Sequence, residues 1–109
     1  MKSNKSEIEE EILENCNQLV LELRGNQAEN GNALINLERI NQLHNQLKLY
    51  QMQIRNLDTV NKEIVGLLLY TCSRFYVQSH YSNNREELLK HFNHLNFALL
   101  NLYMSLETT

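Results

Sequence analysis

Apolar residues return along this chain at helical spacing, in four blocks. In the first, Ile8, Ile12, Leu13, Cys16, Leu19, Val20 and Leu23 recur at steps of one, three and four. That is a single stripe of an amphipathic helix. Ser6 followed by Glu9 fits a capping box, in which each residue's side chain satisfies the other's free amide. Glu7, Glu9, Glu10 and Glu11 crowd the first turns, where the helix dipole favours carboxylates. These signals predict a helix over about 6–24. Arg24-Gly25-Asn26 should end it, with a basic last-turn residue and a glycine suited to a left-handed cap. The polar stretch from Gly25 to Gly31 is the expected loop.

The second block follows a heptad. Ala33, Ile40, Leu47 and Ile54 hold one core position, Leu43, Tyr50 and Leu57 the other, and Leu37 widens the stripe. This predicts a long helix over about 32–56 with bundle-type packing. The third block, Thr59 to Ser82, is the most apolar stretch in the chain. Val60, Ile64, Leu67, Leu68, Cys72 and Phe75 fill one face, while Val65, Leu69, Tyr76 and Tyr70 fill much of another. A helix apolar over most of its circumference asks for partners on several sides. It is predicted over about 59–81, as the hub that the other helices pack around. In the fourth block Leu88, Phe92, Leu95, Leu99, Leu102 and Leu106 alternate at steps of four and three, predicting a helix over about 84–107. Leu89, Phe97, Leu100, Tyr103 and Met104 widen its apolar face, and Asn84 with Glu87 forms a second capping pattern.

Four such helices with short connections predict a single all-α domain spanning 1–109, an antiparallel up-down four-helix bundle. Helix 1 then runs parallel to helix 3, and Cys16 and Cys72 can share a core layer. The junction between helices 2 and 3 rests on Asp58-Thr59 as an N-cap, with no glycine or proline to force a break. Were the helix unbroken from 32 to 81 it would be a rod of about 75 Å, at 1.5 Å per residue. Such a rod implies a homodimer whose bundle forms between two chains.

Composition supports the helical reading and removes several functions. The 109 residues include no proline and three glycines, so nothing breaks a helix outright. Net charge is −3, which gives no electrostatic footing for nucleic acid or an anionic lipid surface. Two cysteines are too few for a disulfide framework, and both fall on apolar stripes. They are expected as buried thiols in a reducing compartment, with a Cys16–Cys72 bridge as the alternative. The start, MKSNKSEIEEE, is charged where a signal peptide would be apolar. The longest strongly apolar run, Ile64 to Cys72, falls short of the roughly 20 residues of a membrane span. A soluble cytoplasmic protein is expected. No phosphate loop or nucleophile elbow is present, and no cofactor is expected.

Four residue sets could carry function. Arg74 and His80 form an R-x5-H spacing, which resembles the R-x4-6-H motif of HEPN ribonucleases. That resemblance implies metal-independent RNA cleavage across a dimer, with His80 moving protons and Arg74 steadying phosphate. The plainer reading is two solvent-facing cations near a helix end. Glu87, His91 and His94 share one helix flank at a spacing that suits a metal. The plainer reading is a polar flank beside an apolar stripe, and no metal is expected. Lys48, Arg55 and Lys62 recur every seven residues and would form a basic line only on a continuous helix. Finally, helices 3 and 4 carry more large apolar residues than one inward stripe can hold. Tyr76, Tyr81, Phe97, Tyr103 and Met104 are therefore the candidate partner-binding patch.

Ile64-Val65 and Leu69-Tyr70-Thr71-Cys72 on helix 3, with Glu86-Glu87-Leu88-Leu89-Lys90 entering helix 4, give one further lead. Over about residues 64–97 the chain resembles the enterocin A type immunity proteins of class II bacteriocins. The resemblance implies a cytoplasmic antiparallel four-helix bundle. It also implies protection of a producer cell by acting at a membrane receptor complex, from the cytoplasmic face. No family functional residue transfers onto this sequence. The expected function is thus a small non-enzymatic protein acting by binding another protein, as an immunity-like factor or inhibitor. The alternatives are a HEPN-like ribonuclease and a homodimeric secretion chaperone or adaptor.

Overall fold

A computed structural model of the protein describes residues 5–24 and 31–104. Four helices account for most of them: α1 (Glu7–Arg24), α2 (Leu37–Ile54), α3 (Lys62–Ser79) and α4 (Arg85–Met104). The fold is an all-α four-helix bundle, as the periodicity predicts. No described helix is long and apolar enough to cross a membrane.

Contacts between helices set both directions and neighbours. Glu9 of α1 meets Tyr50 of α2, while Glu22 meets Asn36 at the other end, so α1 and α2 are antiparallel. Cys72 of α3 faces Phe92 of α4 across an equally antiparallel pair. Lys5 bonds Glu63, and Cys16 meets Thr71, so α1 and α3 run parallel side by side. Gln51 and Asn101 join α2 to α4, also in parallel. The chain therefore runs up, down, up and down, but each helix has two neighbours. α3 packs on α1 and α4 and lies diagonally from α2. The predicted hub is thus one corner of four.

The core gathers one stripe from each helix. It includes Ile12, Cys16, Leu19 and Leu23 of α1, Leu43, Leu47 and Tyr50 of α2, Ile64, Leu68 and Phe75 of α3, and Leu88, Leu95 and Leu99 of α4. Each fully buried Leu, Ile or Phe contributes about 1.5–3 kcal/mol from leaving water. Both thiols are free and buried, as the sequence predicts. Burial raises each to about 11, so neither is a thiolate near neutrality. The glycine cap at Gly25, the stripe's last residue Leu106, and the tail at 107–109 lie outside the described residues.

Local structure differs from prediction in three places, each for a polar reason. The first capping box forms as expected: Ser6 N donates to Glu9 Oε1 at 2.9 Å, and Glu9 N donates to Ser6 Oγ at 3.3 Å. α2, however, starts at Leu37, not 32, with Asn36 as its N-cap. Residues 31–35 are drawn into another task. Asn84 Nδ2 donates to Ala33 O, Ala33 N donates to Asn84 Oδ1, and Asn83 N donates to Gly31 O. Asn84 stands at the start of α4 as predicted, its carbonyl accepting from Leu88 N, but its side chain pairs with a backbone segment as a neighbouring strand would. Ala33 is buried, but from extended chain rather than from a helix.

The third difference lies between α2 and α3. The chain leaves the helix after Ile54 and re-enters it at Lys62, capped by Asn61 and not by Asp58-Thr59. Leu57 and Val60, expected in the core, sit on this turn and are exposed. The break removes the continuous rod, and with it the homodimer built on that rod. It also removes the basic line, since Arg55 lies on the turn while Lys48 and Lys62 belong to different helices.

Candidate functional site

The outer face of the α3–α4 hairpin leaves several large apolar side chains in water, including most of the exposed aromatic ones. On α3, Leu69 and Tyr76 stand seven residues apart on one flank, with Tyr70 beside them. On α4, Phe97 and Met104 repeat the same interval. At helical pitch, half-buried Leu89 and Leu100 lie on the flank of α4 between them and α3. Phe97 is 59% exposed and Met104 61%. The inward stripes explain why: Ile64, Leu68, Cys72 and Phe75 point one way, and Leu69 and Tyr76 are rotated off that face. The second apolar face of α3 thus borders α4 at Tyr76 and leaves much of Leu69, Tyr70 and Tyr76 in solvent.

Of the predicted patch residues, Tyr76, Tyr81, Phe97 and Met104 are exposed. Tyr76 is steadied by its neighbours, packing edge-on to His80 at 4.9 Å and tilted against Phe92 at 5.3 Å. Tyr103 differs. It is half-buried, packs against the core, and its hydroxyl is buried without a hydrogen-bond partner. Burial pushes that phenol up to about 12. Tyr81 lies beyond the end of α3, apart from the Leu69–Tyr76 interval. Sequence reasoning missed Leu69 and Tyr70 as surface residues. Their rotation away from Phe75 is readable in the sequence, but periodicity alone predicts a covering helix there and not solvent. A smaller pair on α2, Leu49 and Met52, is also exposed.

Arg74 and His80 are not brought together. Six residues of α-helix separate their directions by about 120°. Arg74 is half-buried, with its Nε enclosed and lacking a hydrogen-bond partner. His80 is the exposed C-cap of α3, and its ring lies against Tyr76. Glu87 and His91 approach to 4.0 Å, and His94 is exposed on the same flank. Among the described residues no group of three could hold a metal ion.

The most ordered polar chemistry lies at the end of the bundle where α1 begins. Tyr50 Oη donates to Glu9 Oε2 at 2.6 Å, across the α1–α2 seam. Burial opposes charge on Glu9, but bonds from Tyr50, Ser6 and Asn61 outweigh it and hold the carboxyl below its usual range. Tyr50 is fully buried, and burial with the adjacent carboxylate raises its phenol strongly. Two clefts of about 500 Å³ flank the nearby turn and share Ile54, Leu57 and Val60 in their walls. Glu9 is already satisfied by three partners and is a structural anion. The spacing of Glu9 and Tyr50 in sequence gave no sign of their meeting.

Against known proteins, the chain matches no family model, no curated protein and no solved structure.

Proposed function

We propose that the protein acts by binding another protein through the outer face of its α3–α4 hairpin. The observation that carries this is the paired interval Leu69–Tyr76 and Phe97–Met104, large side chains left in water on adjacent helices. Exposed apolar and aromatic side chains grouped on adjacent helices often mark a contact site, and aromatic residues dominate such sites energetically. The separation of Arg74 from His80 gives no support to a ribonuclease site. Within this class the sequence resemblance points to an immunity-like protein or inhibitor, with a membrane receptor complex at the cytoplasmic face as its partner.

The test compares the wild-type chain with a Tyr76→Glu/Phe97→Glu double variant in affinity capture from the producing cell. Charged groups on this face should weaken capture of a specific partner by roughly thirtyfold or more, the equivalent of losing about 2 kcal/mol of contact energy. Both positions are exposed, so helicity and melting should change little. Undiminished capture by the double variant, or loss of capture on Leu49→Glu/Met52→Glu instead, would reject this face as the site.

A further inference from the structure

Three of the chain's four histidines stand along one seam, between α2 and α4. His44 comes from the flank of α2 that faces α4, and His91 and His94 from the flank of α4 that faces α2. Positive charge on His94 or His91 disfavours charge on His44. His44 and His91 are half-buried, and the side chain of His91 keeps only 11% of its exposure. Lower in the same seam His44, Leu47, Lys48, Ala98 and Leu102 line a cavity of about 130 Å³, and the amide oxygen of Asn101 is enclosed there without a partner. This space opens to solvent beside His44, so water can reach a charge placed there.

The surrounding groups leave added protons poorly compensated. α2 supplies Lys48, whose charge also opposes that of His44. α4 supplies Lys90 and one carboxylate, Glu87, at 4.0 Å from His91 Nε2. From α3 the near neighbour of His91 is the Phe75 ring at 6.1 Å, which carries no charge. α1 meets α2 on its other flank, where Glu22 is already engaged with Arg39 at 3.7 Å. Protonating the three imidazoles therefore sets like charges against each other across two helices, with a single carboxylate to offset them.

We propose that the α2/α4 seam is a proton-operated latch, closed while His44 and His91 are neutral and loosened when they take up protons. Both residues are held below the ordinary histidine value, chiefly by burial; positive neighbours add to this at His44, while at His91 the Glu87 carboxylate opposes it without reversing it. The folded chain thus binds these protons less readily than the unfolded chain. The stabilisation is present above about pH 6.5 and is lost as pH falls toward the folded-state values. Loosening the seam uncovers Leu95, Leu99 and Leu102 on the inner face of α4, while the α1/α2 and α1/α3 seams keep their bonds.

The experiment is hydrogen exchange on the full chain at pH 8 and pH 5.5, with rates corrected for their intrinsic pH dependence. Peptides from Leu37–Ile54 and Arg85–Met104 should lose protection by up to about tenfold per histidine per pH unit, while Glu7–Arg24 changes less. The His44→Asn/His91→Asn variant should flatten that difference. Equal loss in all four helices, or a loss that persists in the variant, overturns the latch. Imidazole NMR titration of the wild-type chain needs no variant. His44 and His91 titrating at or above about 6.5 would overturn it as well.

Discussion

The two ends of this bundle are closed by different means. Where α1 begins, the closure is a buried anion: Glu9 takes bonds from Ser6 and Tyr50, and the turn at 55–61 lies over clefts of about 500 Å³. At the opposite end the closure is backbone pairing: Gly31 and Ala33 are bonded by Asn83 and Asn84. A charged hydrogen bond is strong but depends on its proton and on every donor staying in place. Backbone-like pairing is indifferent to pH but sensitive to shape. Gly31 sits at φ +71°, and a Cβ there would lie 2.7 Å from the Asn83 side-chain nitrogen. One end is thus vulnerable to chemistry, and the other to sterics.

Substitutions separate the two mechanisms, beginning with the largest effect. Tyr50→Ala removes a fully buried ring and a donor to a buried carboxylate, and should cost about 3–5 kcal/mol in urea unfolding. Tyr50→Phe keeps the ring and should cost about 1–3 kcal/mol, the share due to the hydrogen bond. If the two variants unfold at the same midpoint, the bond and not the packing governs this end. At the other end Gly31→Ala should cost about 1–3 kcal/mol through backbone strain and the clash with Asn83. Asn84→Ala, which deletes two bonds to Ala33, should cost about 1–2 kcal/mol. A double-mutant cycle on Gly31 and Asn84 should show coupling, and strict additivity would mean that the clamp is not one unit.

The smallest effect is in pH dependence. Glu9 is held below the usual carboxylate range, so its contribution is present above about pH 4.3 and is lost as pH falls through its folded value. Tyr50→Phe should raise that folded value and shrink the acid-sensitive part, whereas Gly31→Ala should leave it unchanged. This window opens at lower pH than that of His44 and His91, whose stabilisation starts to be lost below about pH 6.5. Stability of the wild-type chain should therefore begin to fall below about pH 6.5 and fall further below about pH 4.3, readable by circular dichroism from pH 8 to pH 3.

Periodicity in the sequence determined the four helices, their alternating directions and nearly all of the core, because inward stripes such as Ile12–Cys16–Leu19–Leu23 must be covered. The Ser6–Glu9 box was equally legible, since both partners lie within one turn. Tertiary structure decided what depends on residues far apart in sequence. The chain itself could not say that the Asn84 side chain would pair with Ala33, 51 residues away, in preference to capping its own helix. Nor could it show that Glu9 would meet Tyr50, or that three histidines from two helices would share a seam. The apolar surplus of α3 was visible in the sequence, but its destination was not. Periodicity reports which residues share a face, whereas only the arrangement of all four helices decides whether that face is covered. Here α3 has neighbours on two sides, and Leu69 and Tyr76 are left facing water.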